Sequence, residues 1–128
     1  MARLVADVMT RRVVYLPEGT MLDEAAQAMR DQGIGDVVVT HGPTMMGLVT
    51  DRDIVIRAIA ENLPPKATTL GSITSHELLM IEQSATVDEA VHAMRERGVR
   101  RLLVCDPDRK VVGIISLSDI ALAPATAA

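Results

Sequence analysis

Apolar positions along this chain fall into short runs and one-faced stretches, and the order of these segments occurs twice. Val13-Val14-Tyr15-Leu16 and Leu78-Leu79-Met80-Ile81 are short apolar runs ending near turn residues, which predicts strands. A helix follows each, with apolar positions Leu22, Ala25, Ala26 and Met29 in one and Val87, Ala90, Val91 and Met94 in the other. Both sets have the spacing of a helix with a single buried face. Thr20 and Thr86 are the expected N-caps, with Asp23 and Glu89 three residues on. Gly33 and Gly98 stand where a left-handed residue would end the helix. Val37-Val38-Val39 and Leu102-Leu103-Val104 then read as strands buried on both faces. Each is followed by a polar turn, His41-Gly42-Pro43-Thr44 or Asp106-Pro107-Asp108-Arg109. The next strands are Met46-Gly47-Leu48-Val49 and Val111-Val112-Gly113-Ile114-Ile115. A last helix is expected from near Asp51 to about Ala60, and its partner from Ser118 until it fades in Ala123-Pro124-Ala125.

The two halves also match residue by residue. At a shift of 65, Asp23-Glu24-Ala25 falls on Asp88-Glu89-Ala90, Ala28-Met29-Arg30 on Ala93-Met94-Arg95, and Gly33 on Gly98. At a shift of 66, Gly47 falls on Gly113 and Asp53-Ile54 on Asp119-Ile120. Such self-similarity marks an internal duplication. The expected organisation is a first repeat over 3–60, a linker over 61–69 containing Pro64-Pro65, a second repeat over 70–123 and a tail over 124–128. One repeat of about 55 residues with a single amphipathic helix buries little surface alone, whereas two packed together share one core. The predicted fold is therefore α/β (α+β), two pseudo-symmetric βαββα repeats packed sheet to sheet in one globular pair.

At equivalent places the copies read Gly47-Leu48-Val49-Thr50-Asp51-Arg52-Asp53-Ile54 and Gly113-Ile114-Ile115-Ser116-Leu117-Ser118-Asp119-Ile120. The shared pattern is Gly, two aliphatics, Thr or Ser, two free positions and Asp. A strand turning straight into a helix there would direct backbone N–H groups and a positive helix end at a phosphate. The Asp carboxylate has two acceptor oxygens, matched to the vicinal hydroxyls of a ribose. The competing reading is local: Thr or Ser caps the helix, and Asp complements its dipole.

This octapeptide, with the paired βαββα units, resembles the CBS (cystathionine-β-synthase) domain family over about residues 3–123. Gly-Ile-Ile-Ser-Leu-Ser-Asp-Ile is similar to the corresponding stretch of the nucleotide-sensing gamma subunit of AMP-activated protein kinase. Met9-Thr10, Gly33-Ile34 and the Thr-Asp-Arg-Asp-Ile run resemble small stand-alone two-repeat bacterial proteins. The resemblance implies an adenosine ligand in the cleft between repeats: AMP, ADP, ATP, S-adenosylmethionine or a dinucleotide. It also implies disc-shaped dimers. Carried over residue by residue, it pairs Ser116 and Asp119 with Val13 and Gly35. It pairs Thr50 and Asp53 with Leu78 and Arg100, with Arg101 near the phosphates. The first copy has Gly35-Asp36 where the second has Arg100-Arg101, so the two sites are expected to be unequal, the tighter one containing Asp53.

Composition narrows the function classes. The chain of 128 residues is 48% hydrophobic, so it can bury a core, yet Tyr15 is its only aromatic. That argues against single-stranded nucleic acid, whose bases stack on rings. Net charge is −4, with 6 basic and 8 acidic side chains in residues 1–60 and again in 70–128. Without a basic stripe, duplex DNA is not an expected partner. No apolar run reaches the length of a membrane span, no signal peptide is evident, and Cys105 is the lone cysteine, so a cytoplasmic setting is expected. Cys105 follows three aliphatics and should be a buried thiol; His41, His76 and His92 have no metal spacing and should be surface residues. The pair Asp51 and Asp53 has no second copy, its counterparts being Leu117 and Asp119. No cluster supplies base, nucleophile and metal together, so no enzyme activity is expected. A homodimer is expected because the exposed faces of the paired helices carry Ala and Met. The leading reading is a regulatory adenosine-nucleotide-binding module whose regulated partner the sequence does not name. The alternative is a ligand-independent dimerisation or protein-interaction module.

Overall fold

The computed structural model describes residues 3–75 and 77–122; His76 and the expected helix end at Ala123-Pro124-Ala125 lie outside the described residues. The first sheet holds β1 (Tyr15–Pro17), β2 (Asp36–His41) and β3 (Thr44–Thr50), in that order. β1 runs parallel to β2, and β2 antiparallel to β3. A parallel pair needs a crossover, here α2 (Leu22–Gln32). The second sheet repeats the arrangement with β4 (Met80–Glu82), β5 (Arg101–Cys105) and β6 (Val111–Ser116), crossed by α5 (Val87–Arg97). Even the irregularity recurs: the register shifts between Val39 and Thr40 in one copy and between Val104 and Cys105 in the other. The central strands are buried on both faces, as their unbroken apolar runs predict. Val37, Val38 and Val39 have no exposed surface, and Leu102, Leu103 and Val104 almost none. Cys105 is fully buried.

The helix ends follow the sequence signals except at one position. Gly33 and Gly98 end α2 and α5 in the left-handed region, at φ 64 and 66. Thr86 caps α5, its hydroxyl accepting from the Glu89 N–H at 3.1 Å while Glu89 accepts from the Thr86 N–H at 3.1 Å. Thr20 does not do the same for α2. The cap residue there is Met21, with no side-chain bond. Met21 is the true counterpart of Thr86 at a shift of 65, and a thioether is only a weak acceptor. The first N–H groups of α2 are met instead by the double-proline stretch: Leu22 donates to the Thr68 carbonyl at 2.9 Å and Asp23 to that of Pro65 at 3.2 Å.

That replacement belongs to a larger exchange which the hydrophobic pattern does not reveal. Two four-residue helices, α1 (Val5–Val8) and α4 (Leu70–Ile73), precede the first strand of each copy. α1 docks on the second copy: Val5 donates to the Ala85 carbonyl at 2.8 Å, Ala6 to Gln83 at 3.1 Å, and Val87 to Arg3 at 2.9 Å. α4 docks on the first copy through the same bonds shifted by 65, Leu70 to Thr20 at 2.8 Å, Gly71 to Glu18 at 2.9 Å and Leu22 to Thr68. Each leader thus completes the body of the other copy. The chain accordingly divides into two compact units, one of residues 14–78 and the other of residues 1–13 with 79–128.

Each unit has its own apolar core. In the first, Leu22, Ala25 and Met29 of α2 meet Val37, Val39 and Val49, and Leu70 and Ile73 of α4 complete the cluster. In the second, Ala90 and Met94 meet Leu102, Val104 and Ile115, with Val5 and Met9 supplied by the leader. Met29 and Met94 therefore close cores and do not face solvent, contrary to the sequence argument for a dimer. The large exposed apolar side chains lie elsewhere. The expected helix after β3 forms as α3 (Asp51–Ile54) and widens into a π-helical turn over Val55–Ile59. On it, Val55, Ile56 and Ile59 are 54%, 50% and 51% exposed.

Candidate functional site

β3 turns into α3 without an intervening loop, and β6 into α6 (Leu117–Leu122) in the same way. At the first junction the Thr50 N–H donates to Asp53 Oδ2 at 2.9 Å, and the Asp53 N–H donates to Thr50 Oγ1 at 3.1 Å. At the second the Ser116 N–H donates to Asp119 Oδ2 at 3.0 Å, and the Asp119 N–H donates to Ser116 Oγ at 3.1 Å. The capping geometry is thus present in both copies. Each Asp oxygen so engaged retains a further lone pair, and the other oxygen is not used by the cap.

The two junctions differ in what meets that other oxygen. Asp53 Oδ1 lies 3.8 Å from Nε of Arg57, one turn along the helix. Arg57 is fixed at its far end, where Nη1 donates to the Ile73 carbonyl at the end of α4 at 3.1 Å. Asp119 Oδ1 accepts instead from the Thr10 hydroxyl at 3.0 Å. Thr10 is held by a two-bond bridge to Ile114, at 2.8 and 2.9 Å. The sequence reading missed both partners. Arg57 had a signal, the i, i+4 spacing from Asp53; Thr10 had one too, since Ser75 is its hydroxyl-bearing counterpart at a shift of 65.

The predicted site residues are distributed as follows. Thr50, Asp53, Gly35 and Leu78 belong to the unit of residues 14–78; Val13, Arg100, Arg101, Ser116 and Asp119 belong to the other. The Gly35 carbonyl accepts from the Asp51 N–H at 2.9 Å, and Asp36 pairs in register with Thr50. The Arg100 carbonyl accepts from the Leu117 N–H at 3.0 Å, and Arg101 pairs with Ser116. The turn entering each central strand is therefore tied to the junction of its own repeat. Arg100 is exposed, Arg101 half-buried; Leu78 and Val13 are half-buried at the ends of their segments.

Beside the first junction lies an open groove of about 450 Å³ between α2 and α3, floored by Ala26, Met29, Ile34 and Ile54 with Arg30 and Asp51 also lining it. The acids Asp51 and Asp53 serve separate backbone groups, Asp51 accepting from the Arg52 N–H at 2.8 Å. Among the described residues no three His, Cys, Asp or Glu side chains group as a metal site. His41 and His92 are surface residues, hydrogen-bonded to Glu18 and Glu96. No helix among the described residues is long and apolar enough to cross a membrane.

Comparison with known proteins gives a consistent picture. The CBS domain family matches twice, over residues 5–59 and 70–125, so that each match opens at a leader helix. An uncharacterized protein of Methanopyrus kandleri is 32% identical over 91% of this chain, which spans 60% of that protein's length. The protein YlbB of Bacillus subtilis is 35% identical, over 95% of this chain and 82% of its own. Among solved structures, the CBS domain pair of protein MJ0100, in complex with 5′-methylthioadenosine and S-adenosyl-L-methionine, superposes with a TM-score of 0.80. It is 23% identical and covers 94% of both chains.

Proposed function

The chain belongs to the CBS-domain family, and we propose that it is a regulatory module that binds an adenosine-containing ligand at its strand-to-helix junctions and has no catalysis of its own. AMP, ADP, ATP and S-adenosylmethionine are the candidate ligands. The observation that carries this reading is the hydroxyl–carboxylate pair built twice at the same backbone position, by Thr50 with Asp53 and by Ser116 with Asp119. A capping Asp needs one oxygen for its helix, and its remaining acceptor capacity suits vicinal ribose hydroxyls. The adenosyl ligands of the MJ0100 pair support the same class. A cytoplasmic setting fits the single, buried Cys105.

The test is a thermal-shift panel of these ligands followed by calorimetry. A ligand at about a hundred times its Kd should add roughly 2.7 kcal/mol of stability. Asp53→Ala is expected to abolish the tighter site, Asp119→Ala to spare it, and Arg100→Ala with Arg101→Ala to show whether those arginines serve it. Bound ATP should be recovered unchanged. Loss of the tighter site in Asp119→Ala alone would reverse the assignment, and no response to any ligand would end it.

The exposed ridge of Val55, Ile56 and Ile59 favours a second property, association of two copies. Three clustered aliphatics half open to water are unusual on a monomer. Sedimentation at micromolar concentration is expected to give twice 13.8 kDa, and Ile56→Lys with Ile59→Glu to give the monomer. A wild-type monomer would remove the dimer. Association without any adenosyl binding would favour the interaction-module reading.

A further inference from the structure

We infer that Arg57 is the residue by which the first junction accepts a phosphate-bearing ligand, acting by compensating the charge of Asp53. The inference rests on the reading that the junction holds an adenosine ligand. The Asp53 carboxylate, 28% exposed, places a negative charge at the junction. A ribose held by Asp53 would bring its own 5′ phosphate into that negative field, and like charges at such range repel.

Arg57 opposes that field from a fixed place. Its Nε is 3.8 Å from Asp53 Oδ1, and its Nη1 is anchored on the Ile73 carbonyl at 3.1 Å. Its side chain stays 49% exposed, so guanidinium donors remain accessible. A guanidinium presents five N–H groups, more than these two contacts engage. Arg52 is exposed on the same turn, and its backbone N–H donates to Asp51. The second copy is built otherwise: the counterpart of Arg57 at a shift of 66 is Ala123, and the oxygen equivalent to Asp53 Oδ1 accepts from the neutral Thr10 hydroxyl. The arginine is therefore a property of one junction, not of the repeat.

The experiment is a titration of the full chain with AMP and with uncharged 5′-methylthioadenosine, read at the Thr50 and Asp53 amide resonances so that only the first junction reports. Wild type is compared with Arg57→Gln, which keeps a donor for the Ile73 carbonyl but no charge, and with Arg57→Lys, which keeps the charge. Thermal unfolding of all three controls for folding. Arg57→Gln should weaken AMP about tenfold and 5′-methylthioadenosine less than about twofold, with Arg57→Lys within about threefold of wild type for both. Equal weakening of both ligands, or an unchanged AMP affinity in Arg57→Gln, overturns the charge role while leaving the adenosine reading intact. If neither ligand perturbs the wild-type junction, the adenosine reading fails and this inference falls with it.

Discussion

Replacing Gly47 by alanine is expected to lower stability by about 3 kcal/mol, the upper part of the usual cost of forcing atoms into a filled site. A Cβ at Gly47 would collide with the Ser75 carbonyl oxygen and the Thr74 methyl group, where the chain leaving α4 crosses β3. Backbone cannot rotate away as a side-chain tip can, so the crossing segment must shift as a whole. The entropic gain of about 0.4–1 kcal/mol from Gly→Ala is too small to offset this. At Gly113 the added Cβ would lie 2.7 Å from the Thr10 carbonyl oxygen and 2.9 Å from Met9 Sδ. The sulfur can move, so Gly113→Ala should cost less. Gly19 has nothing within 4 Å of the added atom, and Gly19→Ala should be nearly neutral. Urea denaturation of the three variants ranks them; a Gly47→Ala protein as stable as Gly19→Ala would remove the crossing.

These two glycines show how far the sequence could be read. Their recurrence at a shift of 66 was visible, and it marked the right place. Its physical cause was not visible, because the segment each glycine admits comes from the leader of the other copy. The strands and the two long helices were legible since each has its own periodicity and its own stop signal, such as Gly33 and Gly98. The leaders were not: Val5–Val8 and Leu70–Ile73 are four residues each, too short for any helical period to register. The Thr20 cap failed for a related reason. A threonine next to the right position invites the assignment, but the N–H groups it would have capped are taken by Thr68 and Pro65, far along the chain.

The junctions were legible in identity and only partly in role. Thr50, Asp53, Ser116 and Asp119 stand together in pairs as their spacing implies, and the local capping reading and the ligand reading describe the same atoms. A carboxylate that accepts one backbone N–H is held in a single orientation, with one oxygen presented outward. Capping thus preorganises the group that a ribose would use, and the two readings do not compete. The i, i+4 spacing from Asp53 pointed to Arg57 as the partner of the outward oxygen in one copy, but no local spacing could supply Thr10 in the other, because it is 109 residues from Asp119.

Leu70→Ala is expected to cost about 3–4 kcal/mol, within the range for emptying a large aliphatic from a core. Leu70 has no exposed surface, and it packs in the cluster of Leu22, Ala25, Met29, Val37, Val39 and Val49. By sequence it opens the second repeat; by packing it belongs to the first. The variant therefore tests the exchange of leaders directly, provided the readout is local. Methyl resonances of Val37, Val39 and Val49 should move in the folded variant, while those of Val104 and Ile115 stay near their wild-type positions. Val5→Ala should do the reverse, since Val5 lies with Ala90, Met94, Val104 and Ile115. It removes a smaller group, so its cost should be nearer 2–3 kcal/mol. Leu63→Ala provides the control: Leu63 is 37% exposed, and its truncation should cost under about 1 kcal/mol. If Leu70→Ala instead perturbs Val104 and Ile115 and leaves Val37 and Val39 in place, each leader packs on its own repeat. The close approaches at Gly47 and Gly113 would then need another cause.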